Sequence, residues 1–167
     1  RRVFYAGTGD GNVGGVDVRT GQPLWRFQAS QGGVNSSVVI HDGVLVTIHG
    51  KENIDAAEEG RMIGLKLPTT LAAPGEAQVI LKDKDLKIAD GKGWELWRHL
   101  FAMFTSSRAL ADGRVYQFTK TGVLVCVDAK TGKVHYSEKL NNDQIHSSPL
   151  YADGKLYVCF PNGKVKV

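Results

Sequence analysis

The chain has 167 residues, a formal net charge of +4 and 42% hydrophobic residues, a balance that supports one globular core. Its Lys and Arg residues are scattered, which argues against a nucleic-acid or membrane-surface footprint. It has no run of about 18 apolar residues, so no transmembrane helix is expected, and it shows no secretory leader pattern.

The chain opens inside a strand pattern, Arg1-Arg2-Val3-Phe4-Tyr5, and closes inside another, Lys164-Val165-Lys166-Val167, so it reads as a segment of a longer protein. Residues 9–25 read as strand, turn and strand. Within them Asp17, two residues and then Thr20-Gly21 is turn chemistry: the carboxylate accepts backbone N–H bonds and glycine supplies the positive φ. The same grammar returns 111 residues on, at Asp128 and Thr131-Gly132. Such self-similarity marks a repeat protein.

Asp-Gly pairs at Asp42-Gly43, Asp112-Gly113 and Asp153-Gly154 each separate two apolar runs, which signals hairpins. Phe4-Tyr5, Leu45-Val46, Val115-Tyr116 and Leu156-Tyr157 align at intervals of 41, 70 and 41 residues. The unit is therefore 41 residues, with one insertion of 29. Ser36-Ser37, Ser106-Ser107 and Ser147-Ser148 keep the same beat. Each unit holds four short strands: the Ser-Ser run, the run after Asp-Gly, a run such as Val123 to Val127, and a run such as Lys133 to Glu138. Four strands at a period near 40 predict an all-β fold, a β-propeller of four-stranded antiparallel blades. About three blades' worth is expected: a partial blade over 3–27, a blade over 35–99 with an insertion at 49–93, a blade over 105–140 and a partial blade over 145–167. The remaining blades of a ring would come from the same longer chain or another subunit.

The first part of the insertion, His49 to Gly60, is polar and is expected to lengthen one hairpin loop, with its acidic stretch Glu52 to Glu59 solvated. Arg61 to Leu67 resumes as a strand. Residues 68–93 carry Pro and Gly breakers and one alternating piece, Gln78 to Leu81, that can form an extra strand. The apolar spacing of Trp94 to Phe104 admits a helix. A strand is preferred because Leu96-Trp97-Arg98-His99 repeats Leu24-Trp25-Arg26-Phe27. Cys126 and Cys159 lie in apolar runs and are expected to be buried, and their spacing matches no metal motif. Gly7-Thr8-Gly9-Asp10-Gly11 imitates a phosphate loop but joins two strands, so a nucleotide site fails on context. No Gly-x-Ser-x-Gly elbow accompanies the Ser pairs.

A small residue, one residue, Asp, two residues, Thr-Gly, then Trp four after the Gly resembles the tryptophan-docking motif of the quinoprotein, or PQQ-type, propellers. Gly15 to Trp25 carries it. Cys126 to Tyr136 repeats it with Tyr136 in place of Trp, and the inserted blade keeps Gly93 and Trp97 without the Asp and Thr. The resemblance implies structural docking roles for Asp17, Thr20, Gly21, Trp25, Gly93, Trp97, Asp128, Thr131, Gly132 and Tyr136. It also implies that the Ser-Ser strand is innermost, which would place Asn35, Thr105 and His146 at one mouth of the central channel as candidate binding residues. Two activities are known in the family. One is PQQ- and calcium-dependent alcohol or sugar dehydrogenation. The other is non-enzymatic, as in BamB of the outer-membrane β-barrel assembly machine. The dehydrogenases usually carry a Cys-Cys pair, which this chain lacks, and no residue here is assigned as catalytic or as a metal ligand. The expectation is a scaffold for protein partners, without cofactor. The alternatives are part of a dehydrogenase using PQQ and calcium, and a structural repeat domain of a larger protein. The resemblance also implies a periplasmic or cell-surface location.

Overall fold

A computed structural model describes residues 1–82, 93–103, 105–142 and 144–167. Among these, regular structure is all strand, arranged in four sheets. In the first sheet β1 (Val3–Gly7), β2 (Asn12–Asp17) and β3 (Pro23–Gln28) form an antiparallel meander. The second contains β4 (Val39–His41), β5 (Val44–Glu52), β6 (Glu59–Lys66) and β8 (Glu95–His99), in that order. The third contains β9 (Ala109–Ala111), β10 (Arg114–Phe118), β11 (Val123–Asp128) and β12 (Val134–Lys139). The fourth contains β13 (Leu150–Ala152), β14 (Lys155–Cys159) and β15 (Val165–Lys166).

The Asp-Gly pairs are the hairpin turns that join β4 to β5, β9 to β10 and β13 to β14. Both residues take positive φ in each: 46° and 76° at Asp42-Gly43, 48° and 73° at Asp112-Gly113, 49° and 70° at Asp153-Gly154. That backbone twist matches the right-handed twist of the flanking strands. The inner strands β4, β9 and β13 are only three residues long. They begin after the Ser-Ser pairs, so the serines lead into the strands.

The insertion departs most from a simple loop. Its first part is strand rather than loop at both ends: β5 runs on to Glu52 and β6 starts at Glu59, paired to each other across a register shift. Its second part leaves the second sheet altogether. Strand β7 (Val79–Leu81) adds in parallel to the outer edge of β3, with Trp25 opposite Val79 and Phe27 opposite Leu81. The chain then returns to the second sheet as β8. The insertion therefore ties the first sheet to the second, and its residues 83–92 lie outside the described set.

Three apolar clusters fill the gaps between successive sheets. Val13, Leu24, Trp25 and Phe27 meet Leu45, Ile63 and Leu65 in the first. Val46, Ile48 and Met62 meet Val115, Val125 and Val127 in the second. Phe118 and Leu124 meet Ile145 and Val158 in the third. Strand β5 is buried on both faces, so Val44 through His49 is one continuous buried run rather than an alternating one. Cys126 is buried as expected, whereas Cys159 is exposed on the outer face of the last sheet, and both are free thiols.

Leu81 is 4% exposed and belongs to the first cluster. Leu81→Ala is expected to lower stability by about 2–4 kcal/mol in urea unfolding. An unchanged midpoint would mean that β7 contributes nothing to the core.

Candidate functional site

The repeated turns are built as their residues require. Asp17 Oδ1 accepts the N–H groups of Arg19 and Thr20 at 2.9 and 3.1 Å, and Gly21 turns at φ 73°. Asp128 Oδ1 accepts those of Lys130 and Thr131 at 3.1 and 2.7 Å and the Thr131 hydroxyl at 2.8 Å, with Gly132 at φ 75°. The Arg1 guanidinium donates to Asp17 at 2.6 Å and holds its carboxyl down to about 2. The Thr131 backbone and hydroxyl lower that of Asp128.

The aromatic positions differ from one another. Trp97 donates its indole N–H to Ala129 O at 3.1 Å, and its ring lies so close on Gly132 that an added Cβ would come within 2.5 Å of Cγ. His99 donates to Gly132 O at 2.6 Å beside it. The outer strand of the second sheet is thus fastened to the turn of the third. Trp25 is 2% exposed, but its indole N–H has no partner among the described residues. The residues that follow Leu67, the counterpart of Ala129, run into the insertion and form no such turn. Gly93 begins the return to β8. Tyr136 is 44% exposed. Beneath each aromatic sits a small cross-strand partner: Gly15 under Trp25, Gly64 under Trp97 and Cys126 under Tyr136.

The Ser pairs form a relay along the inner edges. Ser37 N–H donates to Ser107 Oγ at 3.3 Å, Ser107 Oγ–H donates to Ser37 Oγ at 3.1 Å, and Ser107 N–H donates to Ser148 Oγ at 2.9 Å. The other serine of each pair turns into its own sheet: Ser36 Oγ–H donates to Ile48 O at 3.1 Å, and Ser147 Oγ–H donates to Cys159 O. Thr105 and His146 meet at 2.9 Å between Thr105 Oγ1 and His146 Nδ1. Asn35 is exposed at the head of the run that leads into β4. A groove of about 740 Å³ beside His146 is lined by Lys120, Thr121, Lys139, Asn142, Gln144 and Pro161.

Several buried polar groups carry no mark in the sequence pattern. Arg108 crosses from the third sheet to the second, donating to Val46 O at 2.7 Å and Ser36 Oγ at 2.6 Å. Its Nε donates to Gln117 Oε1 at 3.4 Å. Burial pushes its guanidinium down to about 9. Gln117 in turn donates to Ser106 Oγ and Phe118 O, both at 2.8 Å. The acidic loop is not simply solvated, as its composition predicts. Asp55 is clamped between Arg61 at 2.6 Å and Arg98 at 2.7 Å, and Arg98 also pairs with Glu95. Its only sequence signal is an Asp within reach of two strand arginines.

The same loop does not suit a calcium ion, which wants clustered free oxygen ligands. Asp55 is held by two guanidinium groups, and Glu52 and Glu59 face each other as a strand pair. Among the described residues no group of three or more His, Cys, Asp and Glu side chains is placed to hold a metal.

A stack of antiparallel meanders, two of them complete four-stranded sheets, with these repeated turns defines a PQQ-like β-propeller segment. A family model described as Outer membrane protein assembly factor BamB matches residues 82–165, half of the chain, and the chain belongs to that family. The structure is similar to the computationally designed Ika4 protein, with a TM-score of 0.63, 19% identity and coverage of 99% of this chain and 84% of that one. BamB from Moraxella catarrhalis matches with a TM-score of 0.46 and 14% identity over 98% of this chain and 53% of its own. A europium-containing methanol dehydrogenase matches with a TM-score of 0.45 and 14% identity over 75% of this chain and 19% of its own. The chain thus spans about half the length of that BamB. No curated protein matches in sequence.

Two outcomes follow from this geometry. Trp97→Ala removes a buried indole and its hydrogen bond and is expected to cost about 3–5 kcal/mol by urea unfolding, whereas Tyr136→Ala should cost less than about 1 kcal/mol. Equal costs would mean that the Gly132 contact adds nothing. His49 is buried, donates from Nδ1 to Lys51 O at 3.1 Å and leaves Nε2 without a partner among the described residues. Burial, with Arg61 adding to it, lowers its pKa from 6.5 to about 4. Between those values the unfolded chain binds the proton and the folded chain does not, so stability rises with pH across that window. Urea midpoints should fall on acidification from pH 6.5 to 4, by on the order of 2–3 kcal/mol, and His49→Gln should flatten that slope. A slope unchanged in the variant would assign it to other groups.

Proposed function

We propose that this segment acts as a non-catalytic scaffold that presents a binding surface to protein partners, in the manner of the BamB class, in the periplasm and without a cofactor. The observation that supports this reading is that Thr105 and His146 are fixed against each other at 2.9 Å beside the exposed Asn35, with a serine relay joining the three runs; in the propeller reading these residues would line one mouth of the channel. A rigid frame that displays polar side chains on short loops suits recognition. The description of the matching family model, an outer-membrane protein assembly factor, supports the same reading. One fold hosts many activities, so the site has to be tested directly.

A photo-crosslinking residue placed at Asn35, Thr105 or His146 in cells should capture one defined protein, and the same residue at Lys130 on the outer turn should not. The purified protein should show no saturable binding of PQQ with Ca²⁺ and no dye reduction with alcohols. Tight quinone binding with dye reduction would replace the scaffold by a dehydrogenase. Equal capture at Lys130 would remove the mouth as the binding surface.

A further inference from the structure

The clefts between successive sheets are not closed alike at the end where Thr105 and His146 lie. Between the second and third sheets the Lys120 N–H donates to Ala102 O at 2.7 Å. That bond ties the hairpin joining β10 to β11 to the chain that leaves β8. The cleft there holds about 290 Å³, with Leu100, Phe101, Val123 and Val125 along it. One unit of 41 residues further on, the position of Lys120 is taken by Pro161. Proline has no N–H, so the same tie cannot form between the third and fourth sheets. The groove at that junction holds about 740 Å³ and lies open along one side.

The wall of this groove is donor chemistry. Lysine carries three N–H donors and no acceptor. Lys139 gives one of them to Thr121 O at 2.5 Å, which fixes its amine against the wall and leaves two N–H groups. Lys120 is held at its backbone by the Ala102 bond, and its amine stands at the rim, 3.9 Å from Glu59 of the neighbouring hairpin. The side-chain amides of Asn142 and Gln144 add further donors. Among the described residues no Asp or Glu lines the groove.

We infer that this groove takes an acidic segment of a protein partner, laid along it in extended form with carboxylates on Lys139 and Lys120. A carboxylate offers acceptors only, the complement of this wall. The amides of Asn142 and Gln144 are suited to the carbonyl groups of the same segment. Small-molecule sites enclose most of their ligand, whereas a groove open along one side suits a chain that passes through it. Opposed charges of this kind set orientation and speed of encounter more than tightness, so binding is modest and salt-sensitive. The inference deepens the scaffold reading and rests on it for the class of partner.

The ¹⁵N chemical shifts of the full chain, titrated at low salt with an eight-residue peptide of alternating Glu and Gly, test it. The expected result is saturable shifts confined to residues 120–121, 139, 142 and 144–146, largely lost by about 0.3 M salt. A peptide with Gln in place of every Glu should give none. Lys120→Gln and Lys139→Gln should each weaken binding roughly two- to fivefold, and together about tenfold. Both side chains are exposed, so the urea midpoint should not move. Shifts that do not saturate, shifts spread over the whole basic surface, or equal binding by the double variant would overturn the assignment. A single-stranded oligonucleotide of equal charge that shifts the same residues as strongly would also overturn it, because the groove would then answer to charge alone. If the peptide fails while crosslinkers at Thr105 and His146 still capture one protein, the scaffold reading stands and the acidic segment falls. If the peptide binds and those crosslinkers capture nothing, the scaffold reading falls instead.

Discussion

Face-to-face burial between successive sheets is the constraint on which everything else rests. A sheet in the middle of the stack has no solvent face, so its central strands bury both sides. Strand β5 shows the consequence. Val44, Val46 and Ile48 meet the third sheet while Leu45 meets the first. Only a ladder that satisfies its own N–H and C=O groups can be buried in this way, which is why the elements are strands in antiparallel meanders. It is also why the strands can be so short. The stability comes from area buried between sheets rather than from any one hairpin, which alone is marginal in water.

Polar groups caught in those gaps have to be answered in place. Arg108 reaches across a junction to Val46 O and Ser36, and Gln117 fills the position where Ser36 and Ser147 make their carbonyl bonds. Burying a guanidinium without a carboxylate is costly unless hydrogen bonds meet it. The result is directional: apolar side chains can slide past one another, but these bonds have one register. The Asp55, Arg61 and Arg98 cluster does the same for the extended hairpin, folding a polar excursion back onto the outer strands of its own sheet.

The repeat itself was legible because its signals are local. Asp-Gly at each hairpin reports a backbone that needs positive φ twice in succession, and Asp-x-x-Thr-Gly reports a carboxylate closing its own turn. The strand at Glu95–His99 could be told from a helix by its match to Leu24 through Phe27. What stayed hidden depends on contacts between residues far apart in the chain. Periodicity identifies Val79 to Leu81 as a strand, but only packing decides that it joins β3 in parallel rather than its own sheet. Arg108 and Asp55 look like surface charges in sequence, and Ser36 and Arg98, which they bind, lie 72 and 43 residues away. Cys126 and Cys159 sit in equally apolar runs, yet one faces a neighbouring sheet and the other faces out. Asn35, Thr105 and His146 could be aligned by spacing, while the Thr105–His146 bond needed the curvature of the stack.

The aromatic positions show how one motif takes its role from its neighbour. Trp97 is fastened because the next sheet offers Ala129 O and the flat face of Gly132. Trp25 occupies the matching strand position, has the same small partner beneath it and is likewise buried, but the insertion replaces the receiving turn and the indole N–H goes unanswered among the described residues. Donor ring and receiving turn are therefore separable parts, each specified within its own repeat. Only their meeting fastens one sheet to the next, so the strength of each junction is set by a pair of repeats and not by the quality of either motif alone.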